Sequence, residues 1–111
     1  QGQIEGGVVQ GLGYALMEVL ESDQGRASTT NLGDYKIPSV NDVPELTTVL
    51  VGGPSGSGPF QAKGIGESSI SPVAAAIANA IEDAIGVRIT HLPVTAEKVL
   101  RGIKAKRSNG Q

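Results

Sequence analysis

Ile4-Glu5-Gly6-Gly7-Val8-Val9-Gln10-Gly11-Leu12-Gly13-Tyr14-Ala15-Leu16-Met17-Glu18-Val19-Leu20 is the stretch on which the fold turns. Ile4, Val8, Leu12, Leu16 and Leu20 recur every four residues, with Val9, Ala15 and Val19 alongside, which is the stripe of an amphipathic helix. The spacing predicts a helix over about 4–20. Gly6, Gly7, Gly11 and Gly13 each cost such a helix roughly 1 kcal/mol against alanine, so something must offset them. Gly7 and Gly11 lie four apart on one face, where missing side chains let another backbone approach, inside this chain or outside it. Glu5, Gln10 and Glu18 interrupt the apolar run, so it is not a membrane span.

Downstream, Ser22-Asp23-Gln24-Gly25 has turn chemistry, and residues 27–32, rich in β-branched and small side chains, follow as a strand that Ile37-Pro38 closes. Leu46-Thr47-Thr48-Val49-Leu50-Val51 has the strongest strand composition in the chain. Residues 52–59, Gly-Gly-Pro-Ser-Gly-Ser-Gly-Pro, read as a linker or a surface loop. A second helix follows, with Ser71 as its cap, Pro72 in its first turn and Gly86 at its exit. Its expected buried stripe is Val73, Ile77, Ala80, Ile81, Ala84 and Ile85. Residues 87–92 read as a strand ended by Pro93, and Thr95 as the cap of a last helix through about Lys104. Residues 1–106 then form one unit and residues 107–111 a frayed tail. The order predicts an α+β fold, a small mixed sheet packed with about three helices. Three strands are a meagre sheet, so the unit is expected to be part of a larger domain that adds strands.

The composition points the same way. The chain has 111 residues, 39% of them hydrophobic but only 3% aromatic, so its core is built from small aliphatic side chains. Nine basic against eleven acidic residues give a net charge of -2, which provides no field for nucleic acid or anionic lipid. With no cysteine there is neither a disulfide framework nor a thiolate metal site. The chain starts at Gln1 without signal-peptide features, as a piece cut from a longer polypeptide would, and the expected compartment is the cytoplasm.

Reactive chemistry concentrates at Gly64-Ile65-Gly66-Glu67, just before the second helix. Glycines let a ligand approach the backbone, and a carboxylate fixed beside such an open surface can act as a general base. Acidic residues also gather near helix starts through the helix dipole alone, so a purely structural role for Glu67 stays open on this pattern. Ser68, Ser69 and Ser71 lack a Gly-Lys-Ser/Thr arrangement, and Glu67 would repel phosphate. Gly11-Leu12-Gly13 lies inside a helical stripe rather than at a strand-to-helix turn, so it is no dinucleotide fingerprint. His91 has no neighbouring ligand set and reads as structural. No Gly-x-Ser-x-Gly is present to carry a nucleophilic serine.

Three segments taken in order carry a resemblance. Gly2-Gln3-Ile4-Glu5-Gly6-Gly7-Val8-Val9-Gln10-Gly11-Leu12-Gly13, Tyr35-Lys36-Ile37-Pro38 and Ala62-Lys63-Gly64-Ile65-Gly66-Glu67 resemble successive motifs near the C-terminus of the large, molybdopterin-binding subunit of molybdenum hydroxylases of the xanthine dehydrogenase and aldehyde oxidase family. The likeness runs from about Gly2 to Ile103. It implies a fragment of a molybdenum cofactor-binding domain in which Glu67 faces the metal as catalytic base, while Gln3 and Gly66 contact the pterin. The implied reaction begins when Glu67 takes a proton from a molybdenum-bound hydroxyl. The oxygen then attacks a carbon next to nitrogen or in a carbonyl, and hydride passes to a sulfido group. A metal acidifies its bound oxygen, so a carboxylate suffices as base.

The same resemblance implies a molybdenum–molybdopterin cofactor, with the cytosine dinucleotide as one form, held mostly by residues outside this chain. It implies iron–sulfur clusters and FAD on partner subunits or domains, and an N-heterocycle or aldehyde as substrate. Many relatives follow the glutamate with Pro-Pro, whereas Ser68-Ser69 stand here, which bears on the shape of the loop. Alone, the chain is expected to be inactive. The alternative is a non-catalytic docking or assembly module that binds the rest of a larger subunit through the Gly7 and Gly11 face.

Overall fold

The computed structural model describes residues 1–53 and 56–110. Among these residues are three α-helices, α1 (Gly2–Leu16), α2 (Val73–Ile85) and α3 (Ala96–Asn109), a short 3-10 turn at Pro59–Gln61, and a hairpin of β1 (Ser22–Asp23) and β2 (Arg26–Ala27). The α+β class is as expected, but the sheet is smaller. Among the described residues the only paired strands are this antiparallel hairpin, with Ser22 opposite Ala27 and Asp23 opposite Arg26. Gln24 and Gly25 both have positive φ, 46° and 80°, the turn whose twist suits a two-residue hairpin loop.

The strands expected over 46–51 and 87–92 are not paired, and β2 ends at Ala27 instead of running to Leu32. Strand propensity reports how well side chains fit a pleated, half-buried surface, and this chain supplies no such surface to residues 46–51. Val51 is 93% exposed. Residues 46–49 instead border a shallow cleft against Ile4, Glu5 and Val8 of α1. The segment after α2 makes individual contacts rather than a ladder. Val87 packs on Gly102 of α3, and the Val94 amide donates to the Ala15 carbonyl at 2.6 Å. The expected loop at 52–59 includes residues 54 and 55, which lie outside the described residues, as does residue 111 of the expected tail.

α1 stops four residues short of the predicted end at Leu20. The amides of Met17 and Glu18 both donate to the Gly13 carbonyl, at 3.0 and 2.9 Å, and Met17 leaves the helix at φ -144°. Glu18 then turns its carboxylate to the Tyr35 hydroxyl, 2.6 Å away, leaving Leu20 exposed.

α2 ends as its chemistry requires. Gly86 sits in the left-handed region at φ 64°, and the Lys106 ammonium donates to the Ile85 carbonyl at 3.1 Å, where a cation complements the helix dipole. Its half-buried face is Val73, Ile77, Ile81 and Ile85, while Ala80 and Ala84 are exposed. Ser71 does not cap it. Pro72 holds the N-cap position without a side-chain bond, because the preceding residues already turn through backbone bonds.

In α3 the expected cap forms, with Thr95 Oγ1 accepting from the Lys98 amide at 3.3 Å. The helix continues past Lys104 to Asn109, with Lys106 and Arg107 in its last turn where cations are favoured.

The arrangement is open. Its radius of gyration is 18.0 Å, against about 13 Å for a compact domain of this length. The core is a small knot at the C-terminal end of α1, where Ala15 is fully buried and Val94 nearly so.

Candidate functional site

α1 carries the first sequence motif, meets the second at its C-terminal end and packs against the residues that follow the third. Its glycine face is filled from within the chain, by the residues that lead into α2. A methyl group on Gly7 would overlap Ser69 Oγ, and one on Gly11 would lie 2.7 Å from Val73 Cβ and 3.0 Å from the Ile70 carbonyl oxygen. Close approach therefore offsets the helix cost of these two glycines, as their spacing predicts. The expectation that this face docks another polypeptide is corrected, because Ser69, Ile70 and Val73 already occupy it.

This packing has a definite register. Gly7 meets Ser69 and Gly11 meets Val73, so a step of four along α1 matches a step of four along the facing segment in the same direction. One turn further back on α1 stands Gln3, and the facing segment runs back to Gly66 and Glu67. The two segments thus carry Gln3 and Glu67 toward the same end of the pair. Both residues are exposed.

Glu67 is held through its backbone. The Ile70 amide donates to the Glu67 carbonyl at 3.0 Å, and the Val73 amide to the Ile70 carbonyl at 3.2 Å, so residues 67–73 form successive turns pinned under α1. Glu67 lies six residues before the first residue of α2, and that helix has neither an acidic residue in its first turn nor a side-chain cap. The helix-start role left open by sequence is therefore not the one Glu67 fills. A methyl group on Gly64 or Gly66 would meet nothing within 4 Å, so the backbone beside Glu67 is open to an approaching group. Ser69 Oγ, by contrast, is buried without a hydrogen-bond partner among the described residues.

The Tyr35-Lys36-Ile37-Pro38 motif has a structural task at the other end of α1. Tyr35 donates to Glu18, and Pro38 lies close over Gly13. That hydrogen bond to Glu18 raises the tyrosine's pKa above its ordinary value, aided by partial desolvation and the nearby carboxylate charge. Asp42 is held below the usual carboxylate value because the Ser39 hydroxyl and amide both donate to it, at 2.6 and 2.8 Å. His91 is exposed in a loop, its Nδ1 3.1 Å from Thr90 Oγ1. Among the described residues no group of three His, Cys, Asp or Glu could hold a metal ion. Gln3 offers a side-chain amide, Glu67 a carboxylate, and Gly64 and Gly66 open backbone, groups whose chemistry suits contact with a polar cofactor.

Sequence reasoning missed Ser69 and Ile70 as the partners of Gly7 and Gly11. The glycine spacing signals a close neighbour but carries no information about which one.

The chain is similar to known proteins over most of its length. The family described as molybdopterin cofactor-binding domain matches residues 1–44. The chain is 44% identical over 105 residues to the aldehyde oxidoreductase of Megalodesulfovibrio gigas, covering 94% of this chain and 11% of that protein. It is 39% identical over 101 residues to the xanthine dehydrogenase molybdenum-binding subunit of Escherichia coli, covering 89% of this chain and 13% of that protein. The crystal structure of quinoline 2-oxidoreductase from Pseudomonas putida 86 matches with a TM-score of 0.82 and 36% identity, over 93% of this chain and 14% of that one. The chain thus spans between 11% and 14% of the length of these proteins.

Proposed function

We propose that this chain is a segment of the molybdopterin-binding subunit of a molybdenum hydroxylase of the xanthine dehydrogenase and aldehyde oxidase family, and that it supplies the general base, Glu67. The observation that carries this reading is the placement of Glu67. It is anchored through its backbone by the turn under α1, set apart from the start of α2, and flanked by glycines that leave one side open.

When bound, the molybdenum cofactor supplies a Lewis acid that brings an oxygen-bound proton within range of a carboxylate, and a sink for two electrons. Glu67 accepts that proton at a carboxylate oxygen during hydroxylation of an N-heterocycle or aldehyde. The Gln3 side-chain amide, at the same end of the helix pair, both donates and accepts hydrogen bonds and so suits the pterin edge. Gly66 lets the pterin approach the backbone. The remaining pterin contacts would come from the rest of the subunit, and iron–sulfur clusters and FAD on partner subunits or domains would supply the electron outlet. The enzyme works in the cytoplasm, and the isolated segment is inactive.

The docking alternative becomes a companion to catalysis on a different surface. Val49, Val51 and Phe60 are exposed; the apolar surface they present is covered by the remainder of the subunit, which delivers Glu67 to the cofactor.

Glu67→Gln in the assembled enzyme keeps the shape and removes the base. Turnover should fall by roughly 10²- to 10⁴-fold while molybdenum and pterin contents stay normal. Turnover within a few-fold of the unsubstituted enzyme would refute the assignment.

A further inference from the structure

We propose that Ser69, seated against Gly7, is a positioning residue that sets the reach of Glu67 relative to Gln3. The inference rests on the reading of Glu67 as base and adds how that base is aimed.

Glu67 itself is exposed, so its place is determined by the backbone that carries it. That backbone is fastened at two points. Ser69 fills the space a side chain at position 7 would take, and the Ile70 carbonyl lies against Gly11 while accepting from Val73. Between them, the bond from the Ile70 amide to the Glu67 carbonyl closes the turn. Ser69 is thus two residues from the carboxylate and in direct contact with the helix that carries Gln3 four residues before Gly7. Its hydroxyl is buried yet has no hydrogen-bond partner among the described residues. An unpaired buried hydroxyl is unfavourable, and alanine there would remove that cost. What serine adds over alanine at this contact is the volume of one oxygen atom against Gly7. A clamp of this kind has a narrow tolerance, since small displacements of a reacting group strongly reduce rate.

The test uses the assembled enzyme with four variants: Gly7→Ala, Ser69→Ala, Ser69→Gly and the double Gly7→Ala/Ser69→Gly. Two readouts are taken, steady-state kinetics and amide hydrogen exchange of the peptide spanning residues 67–73. Gly7→Ala is expected to lower kcat at least tenfold with KM and molybdenum content unchanged, and to speed exchange in that peptide. The double variant removes the colliding side chain and should recover both. Ser69→Ala should lower kcat several-fold and loosen the peptide without lowering the thermal unfolding temperature, which a merely structural role would not produce. If Gly7→Ala yields no folded enzyme, Ser69→Ala carries the test alone. The proposal is overturned if Ser69→Ala leaves kcat and exchange unchanged, or if the double variant is as impaired as folded Gly7→Ala. Retained turnover in Glu67→Gln would instead remove the base assignment, while the exchange data still report on the clamp.

Discussion

The Val94 amide donates to the Ala15 carbonyl across 2.6 Å, joining the last turn of α1 to the residue that precedes the Thr95 cap of α3. The same two residues carry the most deeply buried apolar side chains among the described residues, with exposures of 0% and 4%. The core of this segment therefore lies at a junction of helix ends, away from the end where Gln3 and Glu67 stand. Substitutions at the two ends should separate stability from catalysis.

Val94→Ala should destabilise the junction by about 1.5–3 kcal/mol, from lost burial and the cavity left behind. Native-state hydrogen exchange of the last turn of α1 would read this as at least about tenfold faster exchange. Since the segment that carries Glu67 is fastened at Gly7 and Gly11 instead, kcat in the assembled enzyme should change less than twofold. A large fall in kcat with unchanged exchange at the end of α1 would contradict this separation.

The Tyr35–Glu18 contact gives a pH signature. The hydrogen bond to Glu18 raises the tyrosine's pKa, so the folded state holds that proton more tightly than the unfolded chain, whose tyrosine titrates near about 10. Between the unfolded and folded values the native state binds more protons, so stability falls as pH rises. The contribution is complete below about pH 10 and is lost as pH climbs through the raised folded value. Tyr35→Phe should be less stable than the parent at neutral pH, and the difference should shrink above about pH 10. Thermal unfolding of both proteins across that range checks it, and a gap that widens with alkalinity would reverse the sign.

The ends of the helices show what can be read locally and what cannot. Gly86 and Thr95 act through their own backbone conformation and side chain, so the exit of α2 and the start of α3 were legible from residue type and position. The end of α1 was not. Its stripe continues to Leu20, and the interaction that draws the chain away joins Glu18 to Tyr35, seventeen residues later. Likewise Leu46 to Val51 carries strand composition without a strand to pair with, because propensity describes a side chain's suitability and not the supply of a partner. At the site, the glycine spacing announced close packing and the motif resemblance pointed to Glu67. Whether Glu67 merely starts a helix could be decided only once α2 was seen to begin at Val73.

The unpaired segment yields the last prediction. Val49, Leu50 and Val51 are 73%, 72% and 93% exposed, and such a contiguous apolar run is unfavourable in water unless something covers it. The segment belongs to a fold that matches quinoline 2-oxidoreductase over 93% of this chain but only 14% of that one, so the matching architecture there is accompanied by much additional polypeptide. If the remainder of the subunit covers Val51, a charge at this position cannot be accommodated without desolvation. Val51→Asp should therefore reduce recovery of assembled, molybdenum-loaded enzyme severely, whereas the near-isosteric Val51→Thr should reduce it only mildly. Because Val51 is almost fully exposed among the described residues, neither change should speed exchange in α1 or α2 of material that does assemble. Equal recovery of the aspartate and threonine variants would show that position 51 faces water in the assembled enzyme.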